Sequence, residues 1–381
     1  MGHFNYFIIE PVGGHGGMNY YNTGLGQGLV QNNTSVHLYT CPESQEQSSK
    51  NFTINKFFKG VYGKSNKIIR LARFVVALTR SIIDIKKKGG KICHLHFFQY
   101  SLLELITCNL LKFSGIKIVA TVHDVESFSG ASLTRTHTSI LRAPEEFIVH
   151  NEFSRQELRA VISAQGIDKR IAIIPHGNYL PFVKRRETIL SRQHLSLPVD
   201  KKLILFFGQI KKVKGLDVLL NAMEIVSKLE PDAMLLVAGK VWKDSFQHYE
   251  ELIKSKNISS VVIPHIRYIN DEDVDFYYSS ADIVVLPYKK IYQSGVLLMA
   301  MSYGCITVSS RLPAMVEVVD ERKNGFLFET DNPQDLARQI LAALGSNVAE
   351  SISHNARAAM IEKHDWKRVA RLHIKVFETY E

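Results

Sequence analysis

The sequence predicts an α/β protein of two doubly wound, Rossmann-like domains. Apolar strand-like runs alternate with helix-length segments almost throughout the 381 residues. That alternation implies parallel sheets covered on both faces. The runs fall into two sets, separated by a proline-bearing, basic stretch with no continuous apolar pattern. Two sets imply two domains.

In the first half the expected strands are Tyr6–Glu10, Ser35–Tyr39, Ile92–Phe97, Lys117–Val122, Phe147–His150 and Ile171–Ile174. In the second half they are Leu203–Phe207, Ala233–Ala238, Val261–Pro264, Asp282–Leu286, Ile306–Val308 and Phe326–Phe328. The break runs from Pro181 to Lys202, holds a Lys-Arg-Arg cluster and reads as a linker. The expected domains are therefore 1–180 and 203–360, joined by 181–202. A last segment, 361–381, is helical by period, carries Trp366, Val369, Leu372, Val376 and Phe377, and could pack back on the first domain.

Hydrophobic residues make up 45% and charged residues 22% of the chain, the balance of a folded globular protein. No run of about 18 apolar residues is present, so no spanning helix is expected. Met1 to Glu10 reads as a strand, without a basic n-region or cleavage site, which makes a cytoplasmic protein the expectation. Cys41, Cys93, Cys108 and Cys305 lie far apart in sequence, which argues against a disulfide framework or a zinc site. The net charge is +10 and is uneven, with 20 basic against 12 acidic residues in 1–180. A one-sided positive field points to an anionic partner. No aromatic-basic recognition motif is present, so nucleic acid is not expected.

Four constellations could carry chemistry. Gly13, Gly14, His15, Gly16 and Gly17 follow the first strand, and Met18-Asn19 opens a helix. Glycines let backbone approach a ligand, and a helix start offers free amides to an anion; a tight turn is the plainer alternative. A dinucleotide fingerprint fails, because Asn19 stands at its third glycine. The second constellation is histidine. His94 and His96 share one strand face, while His123-Asp124, His150 and His176 stand at or just after three other strand ends. Ligands of open parallel sheets bind at those ends; satisfied interior histidines are the alternative. Third, Phe207-Gly208-Gln209-Ile210 ends a strand, and Lys214-Gly215 opens the next helix, where a lysine is placed to neutralise phosphate. Fourth, Pro287-Tyr288 ends a strand, Gln293-Ser294-Gly295-Val296-Leu297 starts a helix, and Gly304 and Glu317 follow. The Gly295 and Val296 amides could cradle phosphate; a helix merely capped by Ser294 is the alternative.

At these residues the chain resembles glycosyltransferase family 4, the retaining GT-B glycosyltransferases, in a branch similar to bacterial cell-surface polysaccharide enzymes. The resemblance spans nearly the whole chain and is densest from Leu203 to Glu329. It implies two domains facing a cleft, and transfer of a hexose from a nucleotide-diphosphate sugar, UDP- or GDP-linked, to a glycan acceptor that is expected to be lipid-linked, with retention. Lys214 would hold the donor diphosphate, with Gln209, Ser294, Gly295, Val296 and Leu297 around it and Glu317 near the nucleotide. His123 would face the transferred sugar. Gly14, His15, Gly16, Gly17, Asp124, His150 and His176 would line the acceptor side. The family usually has arginine at Gln209 and two glutamates where Ile291 and Met299 stand, so an inactive GT-B partner subunit is the alternative reading.

No metal or other cofactor is expected, because a lysine and a helix start can meet the charge of a leaving diphosphate, and no Asp-x-Asp string sits at a strand end. An anionic membrane is the expected docking partner. Residues Lys50 to Lys91 hold twelve basic groups and one acid, Asp84. Asn66 to Lys88 reads as a helix with Arg70, Arg73, Arg80, Lys87 and Lys88 on one side and Ile68, Leu71, Phe74, Val75, Leu78 and Ile82 on the other. Phe57, Phe58 and Tyr62 are placed to insert, which would hold the protein peripherally at the inner face of the cell membrane.

Overall fold

The computed structural model describes residues 4–13, 17–44, 48–63, 65–125, 135–243, 245–345 and 349–381. The chain forms two compact units, Met1–Gly177 with Lys363–Glu381, and Asn178–Glu362.

The first unit is built on a parallel sheet of seven strands. They are β1 (Phe4–Glu10), β2 (Thr34–Thr40), β3 (Phe52–Asn55), β4 (Ile92–Phe97), β5 (Lys117–Val122), β6 (Glu146–Val149) and β7 (Arg170–Ile173). Their order is β3-β2-β1-β4-β5-β6-β7, so the direction of winding reverses between β1 and β4. The central strands are buried on both faces, β4 at every residue, which is why they read as unbroken apolar runs. The edge strand β3 is half-exposed and short and carries no such signal.

The C-terminal helix Trp366–Glu378 belongs to this unit and packs on helix Gly17–Gln31. Glycines permit the approach: a Cβ on Gly24 would stand 2.1 Å from the Trp366 ring, and one on Gly28 2.3 Å from the Trp366 carbonyl oxygen. Asp365 caps the C-terminal helix by accepting the Arg368 amide at 3.0 Å.

The second unit is built on a parallel sheet of six strands, β8 (Lys202–Phe207), β9 (Ala233–Ala238), β10 (Val262–His265), β11 (Ile283–Leu286), β12 (Ile306–Ser310) and β13 (Phe326–Phe328). The order is β10-β9-β8-β11-β12-β13, so its winding reverses between β8 and β11. The stretch 181–202, read as a linker, is part of this unit and contains helix Thr188–His194. Arg192 accounts for the difference. It is 5% exposed and donates to the carbonyls of Ser280, Val199 and Lys201 and to Asp282, which ties the segment to the sheet.

Helix Lys67–Lys87 also departs from expectation. Phe74, Leu78 and Ile82 are buried as predicted, but Ile68 is 77% exposed. A second apolar stripe, Ile69, Val76 and Ile83, is exposed as well. These three lie seven residues apart, as do Arg73, Arg80 and Lys87, so an apolar and a basic stripe run side by side, about 40° apart. Phe58, expected at an interface, is buried against Phe74, and Phe57 lies under the Arg80 guanidinium at 4.1 Å.

Candidate active site

In the second unit β8 and β11 are neighbours, and the segments leaving their carboxyl ends meet. A Cβ on Gly215 would stand 1.8 Å from the Pro287 carbonyl oxygen, and Gly215 has φ +65°, so only glycine fits both the contact and the backbone. The Lys289 amide donates to the Val213 carbonyl at 2.9 Å. The turn Lys212–Lys214 is thereby fixed against Pro287-Tyr288, with the Lys214 ammonium 3.6 Å from the centroid of the Tyr288 ring. Gly208, with φ +111°, lies at the other side: its Cβ would be 3.6 Å from the Val296 side chain. Gly208, Lys214 and the start of helix Gly295–Tyr303 are thus drawn to one place.

That helix start is free for an anion at its first two residues. Gly295 and Val296 open the helix, where no intrahelical carbonyl reaches their amides. The Leu297 amide, expected to join them, donates instead to the buried Ser294 hydroxyl at 3.1 Å. Ser294 is therefore both the cap and the reason that Leu297 offers no amide. Around this point Lys289 is held by Asp217 at 2.8 Å and Asp331 at 3.3 Å. Among the described residues Lys214 has no carboxylate partner. Burial, and then the neighbouring Lys211, bring its ammonium down to about 7. Gln209 and Glu317 are exposed, Glu317 at the end of the short helix Pro313–Val316. Ile291 and Met299 are half-buried.

In the first unit the predicted histidines come together at the ends of four adjacent strands, β4 to β7. His150 Nδ1 lies 2.9 Å from the Ile174 carbonyl oxygen, His150 Nε2 lies 3.3 Å from His123 Nδ1, and His123 Nε2 lies 2.9 Å from His96 Nδ1. With each ring neutral, the carbonyl sets the tautomers of the whole chain. His150 donates from Nδ1 to Ile174, His123 donates from Nδ1 to His150, and His96 donates from Nδ1 to His123. His96 Nε2 is then a lone pair, and it is buried with no hydrogen-bond partner among the described residues. Burial first, and then their mutual repulsion, hold His94, His96 and His123 well below the usual histidine range. His150 is lowered to about 4 and His176 to about 3, chiefly by burial. Tyr21 packs against His96, His123, His150, His176 and Trp366.

Both ring nitrogens of His123 are engaged, and Phe98 stacks on its ring at 4.6 Å, so His123 is a fixed neutral ring and not a free base. Asp124 is half-buried beside it. Gly14, His15 and Gly16 lie outside the described residues; Gly17 is the exposed first residue of helix Gly17–Gln31. Sequence reasoning missed Glu10, a buried carboxylate at the carboxyl end of β1. An acid closing an apolar strand was the available signal. It also missed Tyr288 as the ring beneath Lys214, although its place after a strand end was visible.

Two doubly wound parallel sheets, with a lysine and a helix start at the switch point of the second, are the GT-B arrangement, and the family matches make the chain a nucleotide-sugar-dependent glycosyltransferase. Residues 188–364 match the family described as Glycosyl transferases group 1, and residues 15–178 match Glycosyltransferase Family 4. The chain belongs to the family 4 glycosyltransferases. It is 23% identical to an uncharacterized glycosyltransferase of Methanocaldococcus jannaschii, over 95% of this chain and 94% of that one. It is 24% identical to the D-inositol 3-phosphate glycosyltransferase of Corynebacterium kroppenstedtii, over 91% and 83% respectively. The fold is shared with sucrose-phosphate synthase from Thermosynechococcus elongatus, with TM-score 0.78, 20% identity and coverage of 99% and 98%. It is shared also with Anabaena HepE in complex with UDP, with TM-score 0.73, 15% identity and coverage of 99% and 100%.

Proposed function

We propose that this glycosyltransferase moves a hexose, with retention and without a bound metal, from a UDP- or GDP-sugar to a lipid-linked glycan in cell-surface polysaccharide synthesis. The observation that carries the donor side is the meeting of Lys214 with the Gly295 and Val296 amides. As the bond from the anomeric carbon to the diphosphate breaks, negative charge grows on the departing oxygen, and a fixed ammonium and two amides stabilise it. In same-face transfer the acceptor oxygen bonds to that carbon, and its proton passes to the leaving phosphate. His123 would position the sugar as a neutral ring. Metal independence rests on the donor side, where Lys214 and the two helix-start amides can meet the charge that a divalent cation would otherwise neutralise.

A lipid-linked acceptor is supported by helix Lys67–Lys87. Its exposed apolar stripe fits the acyl boundary of a bilayer, and the adjacent Arg73, Arg80 and Lys87 fit anionic headgroups. Among the described residues no helix is long and apolar enough to cross a membrane, so contact through this helix would be peripheral, and an inner-face location follows from the nucleotide-sugar supply. Ile291 and Met299 favour a second reading, an inactive partner subunit, which predicts no release of nucleotide.

The test is a thermal-shift panel of UDP-, GDP-, ADP- and dTDP-sugars, then nucleotide release from the best donor in excess EDTA. A ligand at about 100 times its Kd adds roughly 2.7 kcal/mol to stability. Lys214→Ala should cut release by about 10²-fold or more. No shift with any nucleotide sugar, or full release by Lys214→Ala, would overturn the reading; loss of activity in EDTA would overturn metal independence.

A further inference from the structure

A second lined cavity lies wholly within the first unit. Its walls include Glu10, His96, Glu104, Thr107, Tyr62 and Phe98. Three features decide what it can hold. The first is its polar groups, which are all hydrogen-bond acceptors or uncharged. Glu10 is 2% exposed and takes the Val12 amide on Oε1 at 2.8 Å. Glu104 takes the Ser101 amide on Oε2 at 2.9 Å as half of a capping box. Neither carboxylate has a basic partner among the described residues, and no lysine or arginine lines the cavity.

The second feature is His96. It is 8% exposed, its Nδ1 proton is committed to His123, and its Nε2 lone pair faces no partner among the described residues. That nitrogen is fully buried, so the ring closes the inner wall and leaves the two carboxyl groups as the acceptors within reach of a ligand. The third feature is apolar: Tyr62 and Phe98 are 40% and 38% exposed, and such ring faces match the C–H faces of a sugar. The cavity volume is ≈ 60 Å³, room for a few waters and hence for the hydroxyls along one edge of a sugar ring.

We propose that this cavity seats the hydroxyl-rich edge of the acceptor, a neutral or amino sugar, and that Glu10 and Glu104 turn away phosphorylated sugars. Hydroxyls donate to the two carboxyl groups. A phosphate there would lie against two carboxyl groups, with no lysine or arginine in the lining to offset the repulsion. Burial raises the Glu10 carboxyl to about 7, with Glu104 adding to the rise, so an amino sugar, whose cation would favour the ionised form, fits as well as a neutral one. This assignment rests on the glycosyltransferase reading above and specifies its acceptor.

The test uses the full chain and ligand-observed saturation-transfer NMR with methyl glucoside, methyl galactoside, methyl mannoside, glucosamine and glucose 6-phosphate. At least one neutral or amino sugar should receive saturation and glucose 6-phosphate should not. Glu10→Gln and Glu104→Gln should each weaken that sugar by about tenfold, while the thermal shift given by nucleotide sugars stays as in the wild type. Glu104 is half-buried and Glu10 buried, so if Glu10→Gln fails to fold, Glu104→Gln still reads the site. Glucose 6-phosphate binding as well as the neutral sugars, unchanged affinity in a folded variant, or no neutral or amino sugar binding at all would overturn the proposal. Failure of every nucleotide sugar to bind the wild type would instead strike the glycosyltransferase reading, because the sugar arm does not use the donor.

Discussion

Binding of a nucleotide sugar should take up a proton, and Lys214 should be the group that takes it. In the empty site burial and Lys211 bring its ammonium down to about 7. A diphosphate beside it favours the charged form and raises that value. At pH 8 the free lysine is about ten-elevenths neutral, so binding should take up about 0.9 proton. Between pH 6 and pH 9 the apparent Kd should weaken by about 90-fold if the bound lysine stays charged over that range. A nucleotide sugar is the right probe, because its diphosphate is esterified at both ends and does not titrate there. Isothermal titration at pH 8 in two buffers of different ionisation enthalpy gives the proton count directly. Lys214→Arg, always protonated, should bind with no uptake and with a flat pH profile. Uptake below about 0.2 in the wild type, or equal uptake in Lys214→Arg, would refute the assignment.

Gly295→Val should weaken nucleotide-sugar binding by at least about tenfold in a protein whose circular dichroism is unchanged. A Cβ there stands 2.7 Å from the Tyr179 hydroxyl, and a branched side chain crowds the amides; normal affinity would sink the phosphate assignment. Glu10→Gln should stabilise the protein at pH 8 and not at pH 4. The folded carboxyl at about 7 lies above its ordinary 4.5, so stability falls as pH rises from 4.5 to 7, by about 3 kcal/mol in order of magnitude. Equal denaturation midpoints at pH 8 would contradict this. Ile69, Val76 and Ile83 changed together to Ser, and separately Arg73 and Arg80 changed to Glu, should each lower co-sedimentation with anionic vesicles several-fold. Equal binding of the wild type to neutral vesicles, or no loss in either variant, would remove the membrane surface from the account.

The strands were legible because parallel sheets bury both faces, so each strand is written as an apolar run that needs no partner to be read. β3 was not, since an edge strand of Phe-Thr-Ile-Asn is half solvated and looks like loop. Arg192 shows why the supposed linker was misread. A buried guanidinium collecting three carbonyls and Asp282 is a long-range arrangement, and in sequence it is one arginine in a basic stretch. The donor site was visible where geometry leaves one residue type: Gly215 must be glycine to pass the Pro287 carbonyl. Leu297 was assigned an amide that Ser294 already uses, because one Ser-Gly step can serve as a cap and as a cradle at once. The histidine chain was visible as strand-end residues, but its order was not. His96 meets His123, and Tyr6 meets His373 at 3.3 Å, across separations that no local pattern records. Glu10 and Glu104 became a pair only when β1 and the helix after β4 were placed together.

The two units treat charge in opposite ways. Breaking the bond to a diphosphate leaves negative charge on phosphate and positive character on the sugar carbon. On the phosphate side a cation is wanted only while the ligand is bound, and a lysine near 7 provides it: partly neutral when the site is empty and fully charged beside the diphosphate. In the role proposed for His123, an imidazolium would repel the developing positive carbon. The first unit prevents one from forming. Its strand-end histidines are buried beside one another, so that protonating any ring costs desolvation and raises the cost for the next. The Ile174 carbonyl then fixes which nitrogen of each neutral ring carries hydrogen. Replacing His123 by a smaller polar residue such as Asn would break that relay between His150 and His96 without adding charge. The same histidines would be poor metal ligands in this arrangement. From His150 to His123 to His96 the nitrogens are committed to one another, and the lone pair left over, on His96 Nε2, is buried where no ion could reach it.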